Sequence, residues 1–143
     1  MSDQYVADRM GCMDVMAKYA KGVDNRDLEL YRKCFSDDVV VTGFGEETYT
    51  GGDEWTAYVK TALEAFGPTQ HMMGPQLVDF EDGIAHCRTD VQAHHYMADA
   101  PDTTLTLWAT YENDMKKIDG EWKIIRHHLV SRGTRIQKDQ ALD

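Results

Sequence analysis

Proline is scarce, at three residues in 143, and so is cysteine, also at three. Cys12, Cys34 and Cys87 are odd in number, widely spaced and in no metal-type pair. That disfavours a disulfide framework or a thiolate metal knuckle and fits reduced thiols in a cytoplasmic setting. Positive charge is short as well: 15 Lys and Arg face 25 Asp and Glu, a formal net charge of −10. With no basic cluster to offset it, this balance disfavours nucleic acid and anionic lipid as partners. Long apolar runs are missing, so neither a membrane span nor a secretory signal after Met1-Ser2-Asp3-Gln4-Tyr5 is expected. There is no serine elbow and no glycine-rich phosphate loop.

What remains is the length of one ordinary domain, patterned first for helices and then for strands. From Asp3 to about Lys21, Val6, Met10, Met13, Ala17 and Ala20 recur at helical spacing, Gly22 offers a stop, and Tyr19 sits at the flank of that stripe, able to point into a cavity. Gly22 to Asp27 is a turn rich in capping residues, where Asp24 alone reads as a helix cap. Leu28, Tyr31, Cys34 and Phe35 mark a short second helix closed by Ser36-Asp37-Asp38, and Val39 to Thr42 a strand. Gly43 to Gly52 is a loop or irregular hairpin. Asp53 is placed to cap a third helix carrying Trp55, Tyr58, Val59, Ala62, Leu63 and Phe66 on one face and ending at Gly67-Pro68.

After that the period changes to two. Thr69 to Phe80 is extended, and Glu81-Asp82-Gly83 turns the chain into a strand from Ile84 to Met97. On that strand the even positions 86 to 96, His94 among them, share one face, and the odd positions, His95 among them, share the other. Thr103 to Lys117 and Trp122 to Val130 follow, joined by Asp119-Gly120, and the polar tail 137–143 is expected to fray. Three helices followed by four antiparallel strands is an α+β order, with a pocket where a curved sheet wraps the helices.

His71, in Thr69-Gln70-His71-Met72-Met73-Gly74, is the residue placed for proton transfer near neutral pH. Taken by itself it fits equally a core histidine bonded to a backbone carbonyl. A general base also needs a carboxylate to fix its tautomer, and Asp24 is the candidate. His94 would help the leaving group, and Tyr19 would meet the carbonyl oxygen. Neighbours on a strand point apart, so neither His94-His95 nor His127-His128 makes a bidentate metal site, and no metal or cofactor is expected. Arg132 and Arg135 at the end of the last strand fit either solvent or the anionic end of a substrate.

The order of elements, the Gly22-to-Asp27 turn, Thr69 to Gly74 and the Met115-to-Lys123 hairpin together resemble the scytalone dehydratase group. That group belongs to the SnoaL-like branch of the cystatin-like cone fold shared with nuclear transport factor two. The resemblance runs from about Asp3 to Arg135. It implies three N-terminal helices packed in a strongly curved, mostly antiparallel sheet, as a single domain over 3–136. It also implies an Asp24–His71 pair, with His94 matching a second histidine and Tyr19 a tyrosine of the bile-acid 7α-dehydratase. Val23 and Gly43 stand where scytalone dehydratase has its carbonyl-polarising tyrosines, and Tyr19 where a relative of the group, the hexachlorocyclohexane dehydrochlorinase, has lysine. The implied activity is therefore a reaction class: a cofactor-free hydro-lyase on a small cyclic or apolar substrate, with isomerase, cyclase and non-catalytic binder as alternatives. Met73, Tyr58, Phe44, Tyr111 and Arg135 are the expected substrate contacts, in an apolar pocket lined by Met, Phe and Trp. A homo-oligomer, trimer before dimer, is expected as well.

Overall fold

The computed structural model describes residues 2–140; of the tail expected at 137–143, residues 141–143 lie outside that range. Helix α1 (Asp3–Asp24) is followed by α2 (Leu28–Lys33), β1 (Phe35–Thr42), a two-residue β2 (Tyr49–Thr50) and α3 (Gly52–Ala62). Four long strands then complete the chain: β3 (Phe66–Glu81), β4 (Ile84–Met97), β5 (Thr103–Ile118) and β6 (Glu121–Lys138). The sheet order is β2-β1-β6-β5-β4-β3, antiparallel throughout except where β1 runs parallel to β6. The helices pack on one face of this curled, mixed sheet, in the α+β arrangement expected from the sequence. Both tight hairpins fall on the Asp-Gly pairs: Asp82-Gly83 and Asp119-Gly120 have positive φ at both positions, the conformation that matches strand twist.

Several boundaries move for physical reasons. The buried face of α1 is Cys12, Val15, Met16, Tyr19 and Val23, whereas Val6, Met10 and Met13 of the expected stripe are exposed. Both sets have three-and-four spacing, and the one that carries the Tyr19 ring takes the core. Gly22 does not stop the helix, which continues to Asp24; a Cβ at Gly22 would come within 2.9 Å of the Tyr31 backbone nitrogen, so glycine lets α2 close on α1. The cap of α2 is Asp27, bonded to Leu30 N–H, which leaves the Asp24 carboxylate free for another partner. Asp53 caps nothing: Gly51 stands at the N-cap of α3, and Asp53 instead pairs with Arg32 at 2.8 Å. Helix α3 ends at Ala62, ahead of Gly67-Pro68, which belong to β3. Strand β1 begins at Phe35, so Ser36-Asp37-Asp38 are already extended. Strand β6 runs past Val130 to Lys138, held by pairing with β5 down to Thr103↔Lys138.

Register decides what reaches the interior. On β4 the odd residues Ala85, Cys87, Thr89, Val91 and Ala93 are buried under the helices, and the even residues from His86 to Gln92 are exposed on the far side. His71 of β3 pairs with Ala93 and so shares the inner face, while Gln70 pairs with His94 on the outer one. No helix of the described residues is long and apolar enough to cross a membrane.

Candidate active site

Asp24, the last residue of α1, and His71, six residues into β3, meet on the inner face. His71 Nδ1 lies 2.8 Å from Asp24 Oδ1, and the His71 backbone N–H donates to Asp24 Oδ2 at 2.7 Å. Thr69 Oγ1 donates to Asp24 Oδ1 at 3.0 Å and accepts from Arg26, which also clamps the carbonyls of Val23 and Gly67. Burial pushes the Asp24 carboxyl up, but the ring and backbone N–H groups of His71 and the Thr69 hydroxyl outweigh it, holding the group below the usual carboxylate range. An ionised carboxylate can only accept, so Nδ1 of His71 carries a proton, and the neutral form of the ring has its lone pair on Nε2. The side chains are 9 % and 17 % exposed, so the pair is shielded from bulk water.

His71 lines a cavity of ≈180 Å³ walled by Tyr19, Tyr31, Phe44, Trp55, Tyr58 and Tyr111, with Ala93, His95 and Leu107 from the sheet. Of the expected contacts, Tyr58, Phe44 and Tyr111 line this cavity. Met73 shares the inner face but packs beside the core, away from the cavity lining. The wall is aromatic, with no Met among its lining residues. Arg135 lies on the outer face, its guanidinium 5.4 Å from the Trp108 ring centre.

His94 is on the wrong side. Its position puts it on the outer face, where Nδ1 bonds Thr106 Oγ1 at 2.7 Å, and Nε2 comes to 3.8 Å from Asp139. The histidine inside is its neighbour His95, 5.9 Å from His71 between ring centres. The alternation along β4 carries this information, because His95 belongs to the Ala85–Ala93 set that the helices cover. His95 Nδ1–H donates to the Leu105 carbonyl at 2.9 Å, leaving Nε2 toward the cavity. Burial lowers its pKa, with the neighbouring His71 and His94 adding to the effect, so His95 is neutral at pH 7 and presents an acceptor.

A second layer of polar groups lies beneath the cavity, where the sequence carries no signal for it. His127, fully buried, sits beneath Tyr19, with Nε2 3.0 Å from the Tyr19 hydroxyl and Nδ1 2.5 Å from Asn113 Oδ1. Trp55 Nε1–H donates to Tyr31 OH at 2.9 Å. Burial pushes the Tyr19, Tyr31 and Tyr111 hydroxyls well above their usual pKa, so all three are neutral phenols. Among the described residues, no group of three His, Cys, Asp or Glu side chains is arranged to hold a metal ion.

The same architecture recurs in solved structures. LinA aligns over 100 % of both chains with a TM-score of 0.89 at 19 % identity. A candidate scytalone dehydratase from Novosphingobium aromaticivorans DSM 12444 covers 99 % of this chain and 97 % of its own, with a TM-score of 0.86 at 22 % identity. Hexachlorocyclohexane dehydrochlorinase LinA-type3 from Novosphingobium barchaimii LL02 covers 95 % and 94 %, with a TM-score of 0.85 at 19 % identity. Identities this low speak to a shared fold, that of nuclear transport factor two and its relatives. No curated protein matches the chain in sequence. A family model for the SnoaL-like domain matches residues 4–128, and the chain belongs to that family.

Proposed function

We propose that the protein is a cofactor-independent lyase that removes a proton next to a carbonyl and eliminates water from a small cyclic or apolar substrate. The observation that carries this reading is the 2.8 Å contact between His71 and Asp24 at the wall of an aromatic cavity. His71 Nε2 takes the α-proton, and the imidazolium that forms is stabilised by Asp24. A hydroxyl of the Tyr19–Tyr31–Tyr111 cluster meets the oxygen of the developing enolate. The C–O bond at the β-carbon then breaks, the C=C bond forms, and His71 returns its proton to the departing hydroxide, which leaves as water. His95, neutral and facing inward, accepts a hydrogen bond from the substrate hydroxyl and so orients the leaving group. It cannot serve as a proton donor at neutral pH without first being charged. The structural relatives named as a dehydrochlorinase and a candidate dehydratase support an elimination of this kind.

The same base would serve an isomerase or cyclase on this fold, and a non-catalytic binder would use the cavity alone. 3-Hydroxycyclohexanone separates these: a dehydratase releases water and gives the enone, read by ultraviolet absorbance and mass. Turnover of a β,γ-enone at unchanged mass, with no dehydration, would favour isomerisation. Binding with neither reaction would favour the binder. The outer face of the sheet exposes Met72 and Leu77, which supports a homo-oligomer; the resemblance favours a trimer before a dimer, to be checked by light scattering.

A further inference from the structure

The hydrogen bonds below the cavity have a direction. Asn113 Nδ2 donates to Met16 Sδ at 3.2 Å, which turns the amide oxygen toward His127. An amide oxygen accepts only, so His127 Nδ1 carries the ring proton. Burial lowers the His127 pKa to about 3, so the ring is neutral through the working range and Nε2 is a bare acceptor. The only hydrogen that can fill the 3.0 Å gap between Nε2 and the Tyr19 oxygen is the one on Tyr19. Tyr31 and Tyr111 pack against Tyr19 at 4.8 and 5.2 Å between ring centres, and all three rings line the cavity. Since the Tyr19 proton is committed to His127, these hydroxyls can meet Tyr19 only as donors.

We infer that His127 and Asn113 are positioning residues that fix the direction of the tyrosine cluster, so that Tyr19 is its acceptor and Tyr31 and Tyr111 hold the protons that bind a substrate carbonyl. Releasing Tyr19 toward the substrate would strand a buried imidazole nitrogen without a partner. Tyr31 and Tyr111 give up nothing comparable on turning toward a carbonyl that carries growing negative charge. Tyr31 is the more polarised of the two, because its oxygen already accepts from Trp55. This assignment rests on the cavity being the reaction site, as proposed above, and changes which hydroxyl does the work there.

The test has two arms. In the free protein, ¹⁵N spectra of His127 are expected to show Nδ1 protonated and Nε2 bare from pH 5 to 8; an Nε2–H tautomer or an imidazolium in that range overturns the inference. In the second arm, carbonyl-¹³C cyclohexanone is bound and its C=O stretch is followed. Tyr31→Phe or Tyr111→Phe is expected to move the band toward the free-ketone position and weaken binding by roughly three- to tenfold, one hydrogen bond's worth. Tyr19→Phe is expected to leave the band in place. His127→Phe is expected to free the Tyr19 proton and shift the band, and His127→Gln, which restores an acceptor, to return it. A band lost in Tyr19→Phe alone overturns the assignment while leaving the cavity as the site. Failure of cyclohexanone to bind at all overturns the site and the assignment together.

Discussion

Two Asp–His pairs among the described residues have almost identical lengths. Asp24–His71 is 2.8 Å long on the inner face of the sheet, and Asp114–His86 is 2.7 Å long on the outer face. In the inner pair the side chains are 9 % and 17 % exposed, and Asp24 is also held by a backbone N–H and a threonine hydroxyl. In the outer pair His86 is 47 % exposed and its second nitrogen faces Glu81 across 3.9 Å. Distance alone therefore does not make a base. What differs is the aromatic cavity beside the ring and a carboxylate held by three hydrogen bonds, which keep it ionised and in place.

That contrast sets the expected effects, the largest first. Asp24→Asn or His71→Ala is expected to lower the dehydration rate on 3-hydroxycyclohexanone by roughly 10²- to 10⁴-fold with an unchanged circular dichroism spectrum. The same changes at Asp114 or His86 are expected to leave the rate alone; equal losses at both pairs would end the distinction. A second rate comparison uses adjacent residues: His95→Gln is expected to cost about tenfold, one hydrogen bond to the leaving group, and His94→Gln less than twofold.

Stability against pH gives a third effect. His127 has a folded pKa near 3 against 6.5 when exposed. Below pH 6.5 the unfolded chain takes up a proton that the folded one refuses, so stability falls with acid by up to about 1.4 kcal/mol per pH unit until about pH 3. His127→Phe is expected to flatten that limb in urea titrations at stepped pH. The Asp24 carboxyl, depressed in the fold, stabilises fully above its ordinary 3.8 and loses that contribution as pH falls through its lower folded value. The smallest effect belongs to the outer pair. The Asp114 hydrogen bond, against a small opposing burial effect, raises the His86 pKa, so its stabilisation is full below pH 6.5 and lost as pH rises through the raised value. Asp114→Asn is expected to lower Tm slightly at pH 5.5 and not at pH 8.5, by less than about 0.5 kcal/mol, with salt erasing the difference.

Much of this was legible in the sequence, because period-two alternation over Ile84–Met97 and two Asp-Gly pairs leave little choice of register. The same alternation places His95 with the buried set, whereas the resemblance implies His94, one position away and on the opposite face. The core face of α1 was not legible, because two stripes satisfy the same spacing and only packing against Tyr31 and His127 selects the one with Tyr19. The Asn113–His127 support was hidden for a related reason: His127-His128 reads as a doublet until strand pairing sets Asn113 opposite His127. Arg26 reads as a turn residue and Thr69 as the start of a strand, and only the fold brings Thr69 to Asp24 with Arg26 behind it.

In the proposed reaction His71 takes a carbon-bound proton because Asp24 holds it. The direct measurement is the rate of deuterium entry at the carbon next to the carbonyl of 3-hydroxycyclohexanone in heavy water, for the natural protein and for Asp24→Asn. Exchange by the natural protein that falls at least about 10²-fold in Asp24→Asn is the expected result. Exchange at the same rate in both proteins would contradict it.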